Sequence, residues 1–356
     1  MSHANTNTII ANAAIDIGYF STKVASMSER SITTIGFTSQ CGRSDANPIL
    51  SVGMNALAGV NVVVDGISYF VGPDATLQTK GRESRTITEN FVNTNEYMAL
   101  FKGGIHYILK DHAATVKGQK NVNIRRLVVG LPLNTFDQKN EEVKEMFEGN
   151  HKVPGIDGET VDVTINAVTV IRQPQGAMLN SGSKKSQAEM QDYYAQNLLI
   201  IDLGGGTCDW LLSNDRKILR HRSDAYPKGV LACVFAICDA INKGYSTDPM
   251  VVQRIDDALR SGKQSFKLNG VEYKTADYLS QTKQVLHECL NQVMTSVGSL
   301  TSIDQIIFTG GGGKLLHGAA QEVWPENVNV MTIDDDPVFS NVRGFFLLGM
   351  MQNAAS

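Results

Sequence analysis

Residues 198–212 read LLIIDLGGGTCDWLL: four aliphatic residues lead into an aspartate, three glycines and a threonine, and the chain returns to apolar residues through a second aspartate, Asp209. A tight β-hairpin accounts for this pattern, because glycine and aspartate favour turns. A phosphate-binding turn accounts for it equally, since residues without Cβ let backbone amides approach phosphate oxygens. The rest of the chain has to decide between the two.

Two further stretches match the second reading. Residues 11–27, ANAAIDIGYFSTKVASM, carry the same Asp-x-Gly opening at Asp16 and Gly18 that residues 202–204 carry at Asp202 and Gly204. This is a weak internal repeat and suggests two related halves. Gly18 on one side and Gly204, Gly205 and Gly206 on the other would bring backbone amides to phosphate, with Ser21, Thr22 and Thr207 adding hydroxyl donors and Lys23 a positive charge. Asp16 and Asp202 would repel phosphate directly, so their expected role is to hold Mg²⁺ through its waters. The third stretch, IIFTGGGGKLL, places Gly310, Gly311, Gly312 and Gly313 between a buried strand and a helix, where close approach to an adenine or ribose face is expected. Lys314 is followed by Leu315, so G-x-x-x-x-G-K-[ST] is absent, and the G-x-G-x-x-G fingerprint fails at its last position. A P-loop enzyme and a dinucleotide-binding dehydrogenase are disfavoured.

Composition is that of a globular protein: 356 residues, 42% hydrophobic and 19% charged, long enough for two domains. The net charge of -4 gives no electrostatic reason for direct binding to DNA or to an anionic membrane. Five cysteines without a C-x-x-C pair point to a reducing, cytoplasmic setting rather than a disulfide framework or zinc site. Cys233 and Cys238 read as core packing. The segment MSHANTNTIIANAA lacks the features of a signal peptide, and no apolar run approaches membrane-spanning length. Asp334, Asp335 and Asp336 read as a solvated cap before Pro337.

Periodicity predicts short strands over residues 32–75, broken at RSDANP and NALAG, and a helix over 94–116 weakened by Gly103 and Gly104. A buried strand ending at Pro132 follows, then a helix ending at Gly149, a strand VDVTINAVTVI and a turn at QPQGAMLNSG. Beyond the polar segment 181–196 come the glycine hairpin and two helices separated by the polar RSGKQSFKLNGVEYKT. A strand, glycine turn and helix around the third motif lead to a final helix that returns to the first half.

Together the three motifs resemble those of the superfamily of actin, sugar-kinase and heat-shock-chaperone ATPases, in the right order over residues 13 to 350. The nearest likeness is to plasmid-segregation actins of the ParM/StbA group, through VVGLPLNTFD, IRQPQGAML and DPVFSNVRGFFLLG. The resemblance implies an α/β, actin-like two-domain ATPase fold of duplicated ribonuclease H-like domains, with nucleotide in the interdomain cleft. Domain I would comprise 1–172 plus 336–356, with a small subdomain at about 32–95. Domain II would comprise 173–335, with a small subdomain at about 215–280. It further implies ATP or GTP with Mg²⁺, slow hydrolysis, self-assembly into filaments and a DNA-bound adaptor protein. A sugar-type kinase and a monomeric chaperone-like ATPase are the alternatives. Many relatives place a glutamate near the attacking water; here the candidates are Gln173 and Gln175, a residue type actins use in that role. With Asp202 they form the expected catalytic set.

Overall fold

The computed structural model describes residues 8–44, 56–78 and 90–354. The break expected at RSDANP lies, from Asp45 onward, outside these residues, as does the start of the N-terminal segment.

Two sheets of the same layout carry the molecule. In the first, β1 (Ala13–Ile17) and β2 (Ser21–Ser26) form the predicted hairpin, and β3 (Thr33–Thr38) continues it antiparallel. On the other side of β1, β4 (Leu127–Leu131) and β5 (Val168–Arg172) add in parallel, giving the order β5-β4-β1-β2-β3. In the second, β6 (Leu198–Leu203) and β7 (Cys208–Asn214) form the glycine-rich hairpin. Here too β8 (Gln305–Thr309) pairs in parallel with β6, and β9 (Met331–Ile333) with β8. The internal repeat read from two Asp-x-Gly turns is therefore a duplication of hairpin plus parallel strands. Both central strands are buried along their length, as near-continuous aliphatic runs require when both faces are covered.

The helices follow from apolar stripes and local caps. The longer ones are α1 (Asn95–Asp111), α2 (Leu133–Phe147), α3 (Gln173–Ser183), α4 (Val230–Ile241), α5 (Pro249–Ser261), α6 (Leu279–Val297), α7 (Gly313–Val323) and α8 (Ser340–Ala354). In α1 the Thr94 hydroxyl accepts the Tyr97 N–H, and the predicted weak point is where the helix sits against Val71, Ile15 and Val24. Cys233 and Cys238 on α4 are fully buried in the core of the second half.

Three expectations are corrected. VDVTINAVTVI is two strands: Thr160–Ile165 pairs in parallel with Asn121–Ile124 in a separate four-stranded sheet, and after Asn166 the chain crosses to β5. Alternation alone cannot reveal such a change of sheet, because both segments bury alternate residues. QPQGAMLNSG is not a turn but helix α3. Pro174 lies in its first turn, where the missing N–H costs nothing, and the Gln175 Oε1 accepts the Arg172 N–H. Asp334 is buried rather than solvated: its carboxylate accepts bonds from Asn180 and Ser340 and pairs with Lys184 at 2.7 Å. Helices Pro249–Ser261 and Gln187–Ala195 also fall where only polar segments or no element were expected.

The halves meet at two crossing helices. α8 lies on the first sheet, burying Val342, Phe345 and Phe346 against Ala14, Ala25, Val128 and Ile171. α3 lies on the second, with Ala177 against Leu198, Ile200 and Leu211. Each helix thus follows one half in sequence, and the two touch backbone to backbone at Gly176 and Gly344, where a Cβ on either would overlap the other helix.

Candidate functional site

Both glycine hairpins point their turns into one cleft of about 850 Å³ including its open mouth. The turns close identically. The Gly18 N–H donates to the Ser21 carbonyl at 3.2 Å, and the Gly204 N–H to the Thr207 carbonyl at 2.9 Å. The cleft wall takes Asp16, Gly18, Ser21 and Lys23 from the first hairpin, Asp202, Gly204, Gly205, Gly206 and Thr207 from the second, and Gln173, Gly310 and Gly311 from elsewhere. Gly310 has φ 82°, and a Cβ there would overlap the Asp202 carboxylate, so this glycine is demanded by the approach of the third motif to the second.

Four predicted residues stand outside the wall. Thr22 faces away because alternate residues of β2 face opposite sides, and its hydroxyl bonds that of Ser39 at 3.0 Å. Gln175 serves the start of α3. The Gly312 N–H donates to the Leu203 carbonyl and the Gly313 N–H to that of Gly310, so both are spent on the βα turn.

The two hairpins hold their aspartates differently. Asp16 stands directly across the strand pair from Lys23, which binds its Oδ2 at 3.0 Å, while the Gln173 Nε2 donates to its Oδ1 at 2.7 Å. At the matching position of the second hairpin Asp202 stands across from Asp209. Like charges directly opposite are unfavourable. Burial raises the Asp202 carboxyl to about 6, against a bond from Asn341 that lowers it. Burial likewise raises Asp209 to about 7, assisted by the Asp202 charge and opposed by the Thr207 hydroxyl and the Leu133 N–H. Through that last bond, at 2.9 Å, Asp209 of the second half caps α2 of the first.

Asp209 gives a test of this electrostatic layout. Its folded-state value lies above its ordinary value of 3.8, so its favourable contribution is complete at low pH and is lost as pH rises through about 7. Asp209→Asn removes that titration. The variant should be more stable than the parent at pH 8, and the difference should shrink by more than about 1 kcal/mol on going to pH 5. Urea unfolding of both proteins at each pH checks this; the buried histidines titrate alike in both and cancel.

Sequence reading missed several cleft residues, among them Tyr19, Phe20, Arg260 and Asn341. Tyr19 and Phe20 at the tip of the first turn pack onto the second: a Cβ on Gly205 would overlap Phe20, and one on Gly206 would lie 2.7 Å from Tyr19. The Arg260 guanidinium sits 4.6 Å from the centre of the Phe20 ring and pairs with the buried Asp256 on the same helix, α5. A start signal was present in Asp248, whose side chain accepts the N–H groups of Met250 and Val251, with Pro249 next to it.

The site therefore offers lysine, hydroxyl and backbone donors for an anion, and two carboxylates on the same wall. Among the described residues no three His, Cys, Asp or Glu side chains form a direct metal cage. The oxygen donors of Asp16, Asp202 and Asn341 suit a hard cation that keeps its waters. No described helix is long and apolar enough to cross a membrane.

Comparison with known proteins places this geometry. Residues 14–176 match the family model of the actin-like protein N-terminal domain. No curated protein matches the sequence. Among solved structures, the chain is similar to the ParM of a 15-stranded filament from Clostridium botulinum, with 18% identity, TM-score 0.74, and 97% of this chain and 100% of that one covered. An archaeal actin homologue gives 18% identity, TM-score 0.72, and coverage of 96% and 99%. A Bacillus thuringiensis ParM hybrid protein with ADP gives 16% identity and TM-score 0.66, over 99% of this chain and 50% of that one. With the duplicated sheets and the shared cleft, these matches identify residues 14–176 as an actin-like N-terminal domain and the whole chain as a protein of the actin-like fold.

Proposed function

We propose that this chain is a nucleotide-dependent filament protein: an ATPase that assembles with ATP (or GTP) and Mg²⁺ and moves or positions plasmid DNA through a DNA-bound adaptor. The observation that carries the reading is the convergence of two like hairpins and the Gly310 turn on one cleft between the halves. The Clostridium relative is a filament, and the Bacillus relative was solved with ADP; both features are carried over here as part of the proposal.

In this reading the halves are domain I, residues 1–172 plus 336–356, and domain II, residues 173–335. Lys23 and the Ser21 hydroxyl bind phosphate oxygens, with backbone donors at Gly205, Gly206 and Gly311, while the Thr207 hydroxyl is given to the Asp209 carboxylate at 2.6 Å. Asp16 and Asp202 hold Mg²⁺ through its waters, and the ion when bound neutralises phosphate charge. Gln173, on the cleft wall, orients the attacking water. Glutamine is a poor proton acceptor, so turnover rests on positioning and is slow. The net charge of -4 favours an adaptor over direct DNA contact, and the protein is expected in the cytoplasm.

Identical subunits joined head to tail generate open filaments. Sedimentation with ATP, GTP, ADP and a non-hydrolysable ATP analogue should give pelleting with a triphosphate and little with ADP. A protein that stays in the supernatant with every nucleotide at tens of micromolar would overturn the filament reading in favour of a kinase or a monomeric chaperone-like ATPase.

A further inference from the structure

We propose that Asn341 is a positioning residue for the cation: its Nδ2 fixes the Asp202 carboxylate, and its Oδ1 accepts a hydrogen bond from a magnesium-bound water. The inference rests on the reading of the cleft as a magnesium-nucleotide site. Asn341 lies in the first turn of α8, is 6% exposed and forms part of the cleft wall. Its Nδ2 donates to the Asp202 Oδ2 at 2.6 Å. Its Oδ1 is buried with no hydrogen-bond partner. The orientation is fixed by chemistry, because turning the amide over would set its carbonyl oxygen against a carboxylate. A buried amide oxygen left without a donor costs about 1–3 kcal/mol. Asn12, Trp210 and Ser213, which also bury an atom without a hydrogen-bond partner, stand outside the cleft wall, and Arg260, which buries its Nε on that wall, has its guanidinium engaged with Asp256.

The duplication of the fold adds a second, independent argument. Gln173, the first residue of α3, donates its amide to Asp16, and Asn341, the second residue of α8, donates its amide to Asp202. Each helix therefore supplies one amide to one aspartate, and Gly176 and Gly344 lie three residues further on, where the helices cross. Both aspartates thus take an amide from the contact between the halves, Asp16 in addition to its cross-strand partner Lys23. Water-mediated cation binding needs such orientation, since groups that position ligands typically change metal affinity by about 10–100-fold.

The test compares ATP binding in magnesium with binding in EDTA, by calorimetry on the full chain. Asn341→Ala should leave affinity in EDTA unchanged and cut the gain brought by magnesium about tenfold. Asn341→Ser, which keeps a small polar group, should do the same and serves if the alanine protein does not fold, as judged by its unfolding curve. A magnesium gain equal to that of the parent overturns the proposal. So does an equal loss with and without magnesium, which a merely structural role would produce. Parent protein that binds ATP with no magnesium gain overturns the reading of the site itself, and this inference with it.

Discussion

Asp202→Ala is expected to bind ATP in magnesium no better than in EDTA, a loss of about 100-fold or more in magnesium-dependent affinity. Asp202 lies on the cleft wall, is buried and rises to about 6, so at pH 7 it is mostly ionised and available to a cation. A bound dication would draw it further toward the carboxylate form. The effect on folding should be small for a reason that only the fold reveals. Removing the carboxylate leaves the Asn341 Nδ2 without its acceptor, a cost of about 1–3 kcal/mol. It also removes the like charge facing Asp209, which lowers the burden of burying that residue. The two changes oppose one another, so the urea midpoint should move far less than the affinity. Calorimetry and urea unfolding on the same preparation decide the matter. Magnesium-dependent affinity equal to that of the parent would reduce the glycine-rich stretch to a structural hairpin.

Much of this arrangement was legible before the fold was known. Asp-x-Gly turns at 16–18 and 202–204 are local features, and each does form a hairpin turn closed in the same way. The apolar stripe of residues 340–354 was long enough to show a helix, and its burial against Ala14 and Val128 follows from its apolar content. Other parts were hidden because they depend on partners distant in sequence. Nothing local distinguishes Thr22 from Ser21 as a cleft residue until the register of β2 is known. The four glycines of the third motif look equivalent, yet Gly310 answers to the Asp202 carboxylate while Gly312 is packed under Leu203 and Val230. Asp334 reads as solvated beside Asp335 and Asp336, but Lys184, Asn180 and Ser340 enclose it from two helices. α5 was obscured by Asp256, a charged residue on its buried face, whose ion pair with Arg260 cannot be read from periodicity.

The sequence offers both Gln173 and Gln175, with Gln173 favoured because it directly precedes Pro174, and the fold gives them different chemistry that single substitutions should separate. Gln173 is 7% exposed, lies on the cleft wall and donates its amide to Asp16 at 2.7 Å. Gln175 points back to the Arg172 N–H and completes the first turn of α3. Gln173→Ala is therefore expected to slow phosphate release about 100-fold, the effect of removing one well-placed polar group from a transition state. Nucleotide affinity in EDTA should change little, because in the proposed reading Lys23 and the turn donors hold the ground-state phosphates, whereas the gain brought by magnesium should fall about tenfold with the amide that orients Asp16. Filaments should form and then persist, since a subunit that cannot hydrolyse stays in its assembly-favouring state. Gln175→Ala should hydrolyse at the parent rate and lose about 1 kcal/mol of stability, the usual cost of a lost cap. Phosphate release and light scattering followed together, with urea unfolding alongside, distinguish the two. Parent-rate release from the Gln173 variant would move the water-positioning role to another cleft residue, and slowed release from the Gln175 variant would mean that the start of α3, rather than one amide, sets the rate.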